Sequence, residues 1–221
     1  MLIGMSMRIT ENASYLEYRD SISHDWVNYL NKYDISPVLI PNNLANINQF
    51  LNSVDISGII ITGGDSIIHA PTNPNESIYH QRDVTEWDIL TIGIKKKLPI
   101  LGTCRGFQMI NKYFGGDITK NISTSYKHTV AHEHQIDLLE NPITSGFPDH
   151  KSSVNSYHDD GVSILDLSDE LNPFATWNNQ VIEGLYHPKL PIVGIQWHPE
   201  RSPNSKDLDE IILRYWMNQC N

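Results

Sequence analysis

The run Ile56-Ser-Gly-Ile-Ile-Ile-Thr62 constrains this chain more than any other segment. It is apolar and β-branched without alternation, the pattern of a strand buried on both faces. Such strands belong to parallel sheets covered by helices, because a strand with one solvated face alternates polar and apolar residues. The surrounding texture agrees. Leu2–Ile9 reads as a first strand, 21–33 as a helix with Ile22, Trp26, Tyr29, Leu30 and Tyr33 on one stripe, and Pro37–Ile40 as a second strand. Leu44–Val54 follows as a helix, then the run above, then a helix over Asp83–Lys97 and a strand over Leu98–Thr103. Helix 105–114 is closed by Gly115 and Gly116, the later part becomes β-rich, and 205–220 forms a last amphipathic helix. The fold expected is α/β, with a mostly parallel central sheet flanked by helices and a smaller β-rich part in the C-terminal half.

At 221 residues, one domain over 1–221 is the expected organisation. The net charge of −10 argues against nucleic acid and anionic membranes as partners, since binders of phosphate backbones carry a surplus of base. Lys95, Lys96 and Lys97 read as a solvated last helical turn, favoured by the dipole. Two cysteines are too few for a secreted disulfide scaffold, and Met1–Met7 lacks a basic leader, so a cytoplasmic protein with reduced thiols is expected. The Pro-, Asn- and His-rich stretch His69–Arg82 reads as a long loop, a candidate lid or substrate wall.

The strongest chemical signal is Leu98-Pro-Ile-Leu-Gly-Thr-Cys104-Arg-Gly-Phe-Gln-Met-Ile, an apolar strand, then Gly-Thr-Cys-Arg-Gly, then a helical pattern. This is a nucleophile elbow with cysteine as the nucleophile. Gly102 and Gly106 leave room for the sharp turn, and the helix N-terminus favours thiolate. The N–H of Arg105 can face a developing oxyanion. A buried structural cysteine is the plain alternative, but it does not account for glycines at −2 and +2.

A thiol needs a base. Two of the ten histidines lie in His-Pro contexts, His187-Pro-Lys189 and His198-Pro-Glu200. In extended chain the residue two positions on shares a side, so Glu200 can orient the His198 imidazole and stabilise its cation. Lys189 would oppose the cation at His187, which leaves Cys104, His198 and Glu200 as the candidate triad. The tract His128, His132, His134 raises the question of zinc, but without a second ligand pair an exposed hairpin is expected there, with no metal and no cofactor.

Three separated motifs now stand in order: Ile61-Thr-Gly63-Gly64-Asp65, Gly102-Thr-Cys104-Arg-Gly106-Phe-Gln108 and Gly194-Ile-Gln-Trp-His198-Pro-Glu200. With them the chain resembles the class I glutamine amidotransferase superfamily, and within it the γ-glutamyl hydrolase branch typified by γ-glutamyl-γ-aminobutyrate hydrolases. The resemblance implies a flavodoxin-like sheet and an oxyanion hole from the N–H groups of Gly64 and Arg105. It implies that Gly63, Gln108, Ser156, Tyr157 and His158 hold the glutamyl group, with Asn155 in the same segment. The γ-aminobutyrate branch usually carries a doubled His followed by Gln after Asn-Ser, whereas this chain reads Ser156-Tyr157-His158-Asp159-Asp160.

That form, with Arg19-Asp-Ser-Ile-Ser-His-Asp-Trp26, looks closer to hydrolases associated with surface-polysaccharide synthesis, some of which cleave γ-glutamyl-CDP-amidate. A nucleotide-linked leaving group needs cations, for which Arg82, Lys120, Lys127 and His128 are candidates. The expected partner is thus a small γ-glutamyl substrate. A γ-glutamyl-γ-aminobutyrate-type hydrolase, a glutaminase subunit with a synthetase partner, a homodimer, and a ligand-binding sensor without activity are the alternatives carried forward.

Overall fold

A computed structural model describes residues 1–68, 78–128, 132–201 and 205–220. In chain order its elements are β1 (Leu2–Ser6), β2 (Arg8–Glu11), β3 (Tyr18–Ser21), α1 (His24–Asn31), β4 (Ser36–Ile40), α2 (Ile47–Ser53), β5 (Gly58–Ile61), α3 (Ile78–Lys95), β6 (Ile100–Thr103) and α4 (Arg105–Tyr113). They continue with α5 (Ile122–Ser125), β7 (His134–Leu138), β8 (Lys151–Val154), β9 (Val162–Ser163), β10 (Asn172–Trp177), β11 (Val181–Tyr186), β12 (Ile192–Ile195) and α6 (Lys206–Met217).

The main sheet runs β4-β1-β5-β6-β12-β11-β10-β7-β8, with β9 paired to β11. Its first five strands are parallel, and from β12 onward the pairing is antiparallel. Counting only the parallel strands in chain order gives 2-1-3-4-5, the flavodoxin-like order. β5 and β6 are wholly buried, which is why they lack alternation. Helices α1 and α6 cover one face through Trp26, Leu30, Leu208, Leu213 and Trp216. On the other face α2, α3 and α4 pack through Leu51, Ile89, Leu90, Phe107 and Ile110.

Several expected boundaries shift for identifiable reasons. The first strand is not one element over Leu2–Ile9. It breaks after Ser6, and Arg8–Glu11 pairs instead with Tyr18–Ser21 as a separate two-stranded ribbon. The ribbon takes Ser21 out of the expected helix, whose true start is the Ser23 cap, with Ser23 Oγ accepting from the Asp25 N–H. Helix α3 begins at Ile78 rather than Asp83, so residues 78–82 are helical. The rest of the expected loop, 69–77, lies outside the described residues. Among the described residues no helix is long and apolar enough to cross a membrane.

Candidate active site

Parallel strands β5, β6 and β12 are neighbours and end together, with Ile61 opposite Gly102 and Ile195 opposite Thr103. Their C-terminal ends therefore deliver Gly63, Cys104 and His198 to one crevice, where ligands bind in open α/β sheets. Cys104 sits between β6 and α4 at φ 51°, ψ −104°, a conformation rare for any non-glycine residue. Its N–H donates to the Ile195 carbonyl at 2.8 Å, which ties the elbow to β12. The turn needs its glycine at 106, because a Cβ there would stand 2.1 Å from the Ile61 carbonyl oxygen. Both cysteines, Cys104 and Cys220, are free thiols.

His198 is buried next to Cys104, both packing against Gly63, and its Nδ1 meets Glu200 Oε1 at 2.7 Å. Burial by itself lowers the His198 pKa. Hydrogen bonds to Cys104 and Glu200, and the negative charge of both, outweigh it and lift the imidazole to about 9. The Glu200 side chain is itself fully buried, so little solvent screens the pair. Asn155 clamps the His198 backbone at both its N–H and its carbonyl. His187 is a turn residue: its Nδ1 accepts from the Lys189 and Leu190 N–H groups, both at 3.0 Å.

Beneath the elbow lies a buried charge network that the sequence reading did not single out. Arg105 pairs with Asp83 and Glu86, and Arg82 Nε donates to Glu86 at 2.8 Å. Arg82 Nη2 also donates to the carbonyls of Thr62 and Gly63, each at 3.0 Å. Arg82 is thus consumed in bracing the Gly63–Gly64 turn and is not a surface cation for a leaving group. The signal available was Arg82-Asp-x-x-Glu86, opposite charges four apart on one helix.

The remaining predicted residues divide into two groups. Gln108 is buried one turn beyond Cys104, and its Nε2 donates to the Asp160 carbonyl at 2.7 Å. Ser156 is buried, and its Oγ has no hydrogen-bond partner among the described residues. Tyr157 is exposed and sets its ring edge-on to His198, with centroids 5.7 Å apart. His158 instead lies beside His128, ring centroids 5.1 Å apart, in a buried cluster with His134 and Glu183. The expected exposed hairpin is therefore corrected: only His132 of the tract is exposed, while His128 and His134 close on buried Glu183.

A narrow cleft of ≈ 10 Å³ opens beside His198, lined by Arg8, Trp26, Gly63, Glu200 and Arg201 among others. Arg201 lies over the Tyr157 ring, 5.1 Å from its centroid, and 3.5 Å from Glu200. Arg8 stands where β1 gives way to the ribbon, at the point where the strand order reverses. Sequence reasoning missed it because only the fold brings residue 8 to residue 198. Of the cations named from sequence, Lys120 is paired with Asp160 at 2.6 Å, His128 is buried against Glu183, and Lys127 lies outside this lining.

Residues 1–200 match the family model described as Peptidase C26. A γ-glutamyl-CDP-amidate hydrolase of Campylobacter jejuni is 29% identical over 219 residues, spanning 99% of this chain and 98% of that one. One of the subunits of the glutamine-hydrolyzing GMP synthase of Methanococcus maripaludis is 27% identical over 187 residues, 85% of each chain. Among solved structures, a glutamine amidotransferase of Thermotoga maritima superposes with TM-score 0.65 at 16% identity, covering 98% of this chain and 83% of that one, a likeness of fold.

Proposed function

Since the chain belongs to the peptidase C26 family, class I glutamine amidotransferase-like hydrolases of amide bonds, we propose that it cleaves a γ-glutamyl amide through a thioester on Cys104. The observation that carries this reading is the continuous line Cys104–His198–Glu200, with the cysteine held in a strained turn at a helix N-terminus. His198 receives the Cys104 proton as the sulfur attacks the γ-carbonyl carbon. The developing oxyanion is met by the N–H groups of Gly64 and Arg105. As the C–N bond breaks, His198 passes its proton to the leaving nitrogen. Water, deprotonated by the same imidazole, then opens the thioester and releases glutamate. Gly63, Gln108, Ser156 and Tyr157 are the positions proposed to hold the glutamyl end.

For the leaving group we favour a nucleotide-linked amine, as in γ-glutamyl-CDP-amidate, used in surface-polysaccharide modification inside the cell. Two observations support it. The full-length relative named for that substrate spans both chains almost end to end. Arg8 and Arg201 also flank the cleft beside His198, where a diphosphate attached to the leaving nitrogen would need them. The test is a panel of glutamine, γ-glutamyl-γ-aminobutyrate and γ-glutamyl-CDP-amidate, scored for glutamate release, with Cys104→Ala as control. Expected is preference for the CDP-amidate, and a rise in its KM in Arg201→Ala without a matching rise for glutamine. Release undiminished in Cys104→Ala overturns the mechanism. Preference for glutamine moves the reading to a glutaminase subunit with a synthetase partner, in line with the GMP synthase relatives.

A further inference from the structure

His128, His134, His158 and Glu183 reach one buried point from four separate segments: the turn after α5, strand β7, the 155–160 segment and strand β11. None of them is needed by the mechanism above. His128 Nε2 lies 2.9 Å from Glu183 Oε1, and His134 Nε2 lies 3.6 Å from the same oxygen. One ligand atom each from His128, His158 and Glu183 falls within 4.8 Å of the others. Five polar atoms here are buried without a hydrogen-bond partner among the described residues: His128 Nδ1, His134 Nδ1 and Nε2, His158 Nε2 and Glu183 Oε2. A purely hydrogen-bonded network that leaves such atoms bare forfeits the hydration each of them had in water.

We propose that His128, His158 and Glu183, with His134 beside them, form a binding site for a divalent transition-metal ion of the zinc class. Imidazole nitrogens with one carboxylate select zinc and its neighbours in the first transition row over magnesium or calcium, which prefer oxygen ligands. Ligands about 2.0–2.1 Å from a tetrahedral zinc stand about 3.4 Å from one another. Within the proposed set, His128 Nε2 and Glu183 Oε1 stand 2.9 Å apart, and all three ligand atoms lie within 4.8 Å, so a small inward shift of the longer edges closes the site.

His158 is already prepared as a ligand. Its Nδ1 faces the Asp160 carbonyl at 3.1 Å and donates its proton there, so the bare Nε2 lone pair is the one turned inward. On binding, the ion takes the Nε2 position that His128 shares with Glu183, and the neutral ring carries its proton on Nδ1 instead. The role assigned is positioning. The same Asp160 carbonyl that accepts from His158 accepts from Gln108 Nε2, so an ion fixing His158 steadies Gln108 and the Ser156–Tyr157 segment next to His198.

The experiment uses untagged, full-length Cys104→Ala protein, which removes the reactive thiolate as a competing ligand. After incubation with Zn²⁺ and gel filtration, metal analysis is expected to find one equivalent. Co²⁺ in place of zinc is expected to give the intense visible bands of a tetrahedral site with no thiolate-to-cobalt transition. Added to the Cys104→Ala protein, His158→Asn or Glu183→Gln should weaken metal binding by more than the about 10–100-fold that loss of an outer-shell partner costs. His132→Gln, at the exposed histidine of the same tract, should leave it unchanged. A readout that needs no further variant is the melting temperature of the Cys104→Ala protein, which should rise with Zn²⁺ and fall back with EDTA. No retained equivalent, a melting temperature indifferent to zinc, a thiolate band that implicates Cys220, or full binding in folded His158→Asn and Glu183→Gln proteins overturns the proposal.

Discussion

Asn155 holds His198 by both ends of its backbone: Oδ1 accepts the His198 N–H at 2.9 Å, and Nδ2 donates to the His198 carbonyl at 2.8 Å. Both bonds are buried, so the segment that follows β8 fixes the residue that follows β12. Asn155→Ala leaves two backbone groups without partners and is expected to destabilise the fold by about 1–3 kcal/mol. A loosened His198 should also slow glutamate release by on the order of 10². Urea denaturation and steady-state kinetics on the same variant separate the two effects.

Gly63 packs against the imidazole so closely that a Cβ would stand 2.5 Å from His198 Cε1 and 3.4 Å from the Cys104 Cβ. Gly63→Ala should therefore push His198 off the sulfur. The expected result is a fall in kcat/KM on the order of 10² with a melting temperature close to the parent's. An unchanged rate would mean that the imidazole does not work from this position.

The His198 imidazole, lifted to about 9 from an ordinary 6.5, fixes a pH window. A folded-state pKa above the unfolded one means that the native state holds the proton more tightly. Its contribution to stability is complete below about 6.5 and is lost as pH rises through about 9. Histidine NMR should find one ring titrating near that upper value, and Cys104→Ala should bring it down. Unfolding free energies should decline over the same alkaline range, and less so in Cys104→Ala.

Glu200→Gln keeps the shape of the orienting side chain and removes its charge. Since Glu200 Oε1 is 2.7 Å from His198 Nδ1, the imidazolium loses its buried counterion and the tautomer its anchor. Activity should fall by on the order of 10²–10⁴, and the His198 titration should move to lower pH.

Glu86 is shared by two buried arginines, Arg82 and Arg105. Glu86→Ala strands both guanidinium groups and should cost about 3–5 kcal/mol by chemical denaturation, the scale for breaking a buried ion pair. Glu86→Gln, which still accepts hydrogen bonds, should cost less. A loss under about 1 kcal/mol in Glu86→Ala would show that the network is not stabilising in this way.

Local rules carried a large part of this protein. The unbroken apolar character of Ile59, Ile60 and Ile61 announced a strand buried on both faces, and it is one. The glycine pair around Cys104 announced a turn tight enough to strain its central residue, and the positive φ is there. The spacing of His198 and Glu200 announced a shared side, and the two meet. In each case the deciding atoms lie within a few bonds of one another, so a short window of sequence holds the physics.

What the sequence alone determined, then, is the parallel sheet, the elbow and the His-x-Glu pair. Tertiary structure decided the rest. Arg8 reaches the cleft only because β1 sits beside β5, and Asn155 grips His198 from 43 residues away. Arg82 and Arg105 look like surface charge until α3 and α4 pack over Asp83 and Glu86, and His128 and His134 look like a polar hairpin until Glu183 closes on them. Buried charges are tolerated only where partners from distant segments meet them, and a sequence read window by window cannot display a partner that folding alone brings near.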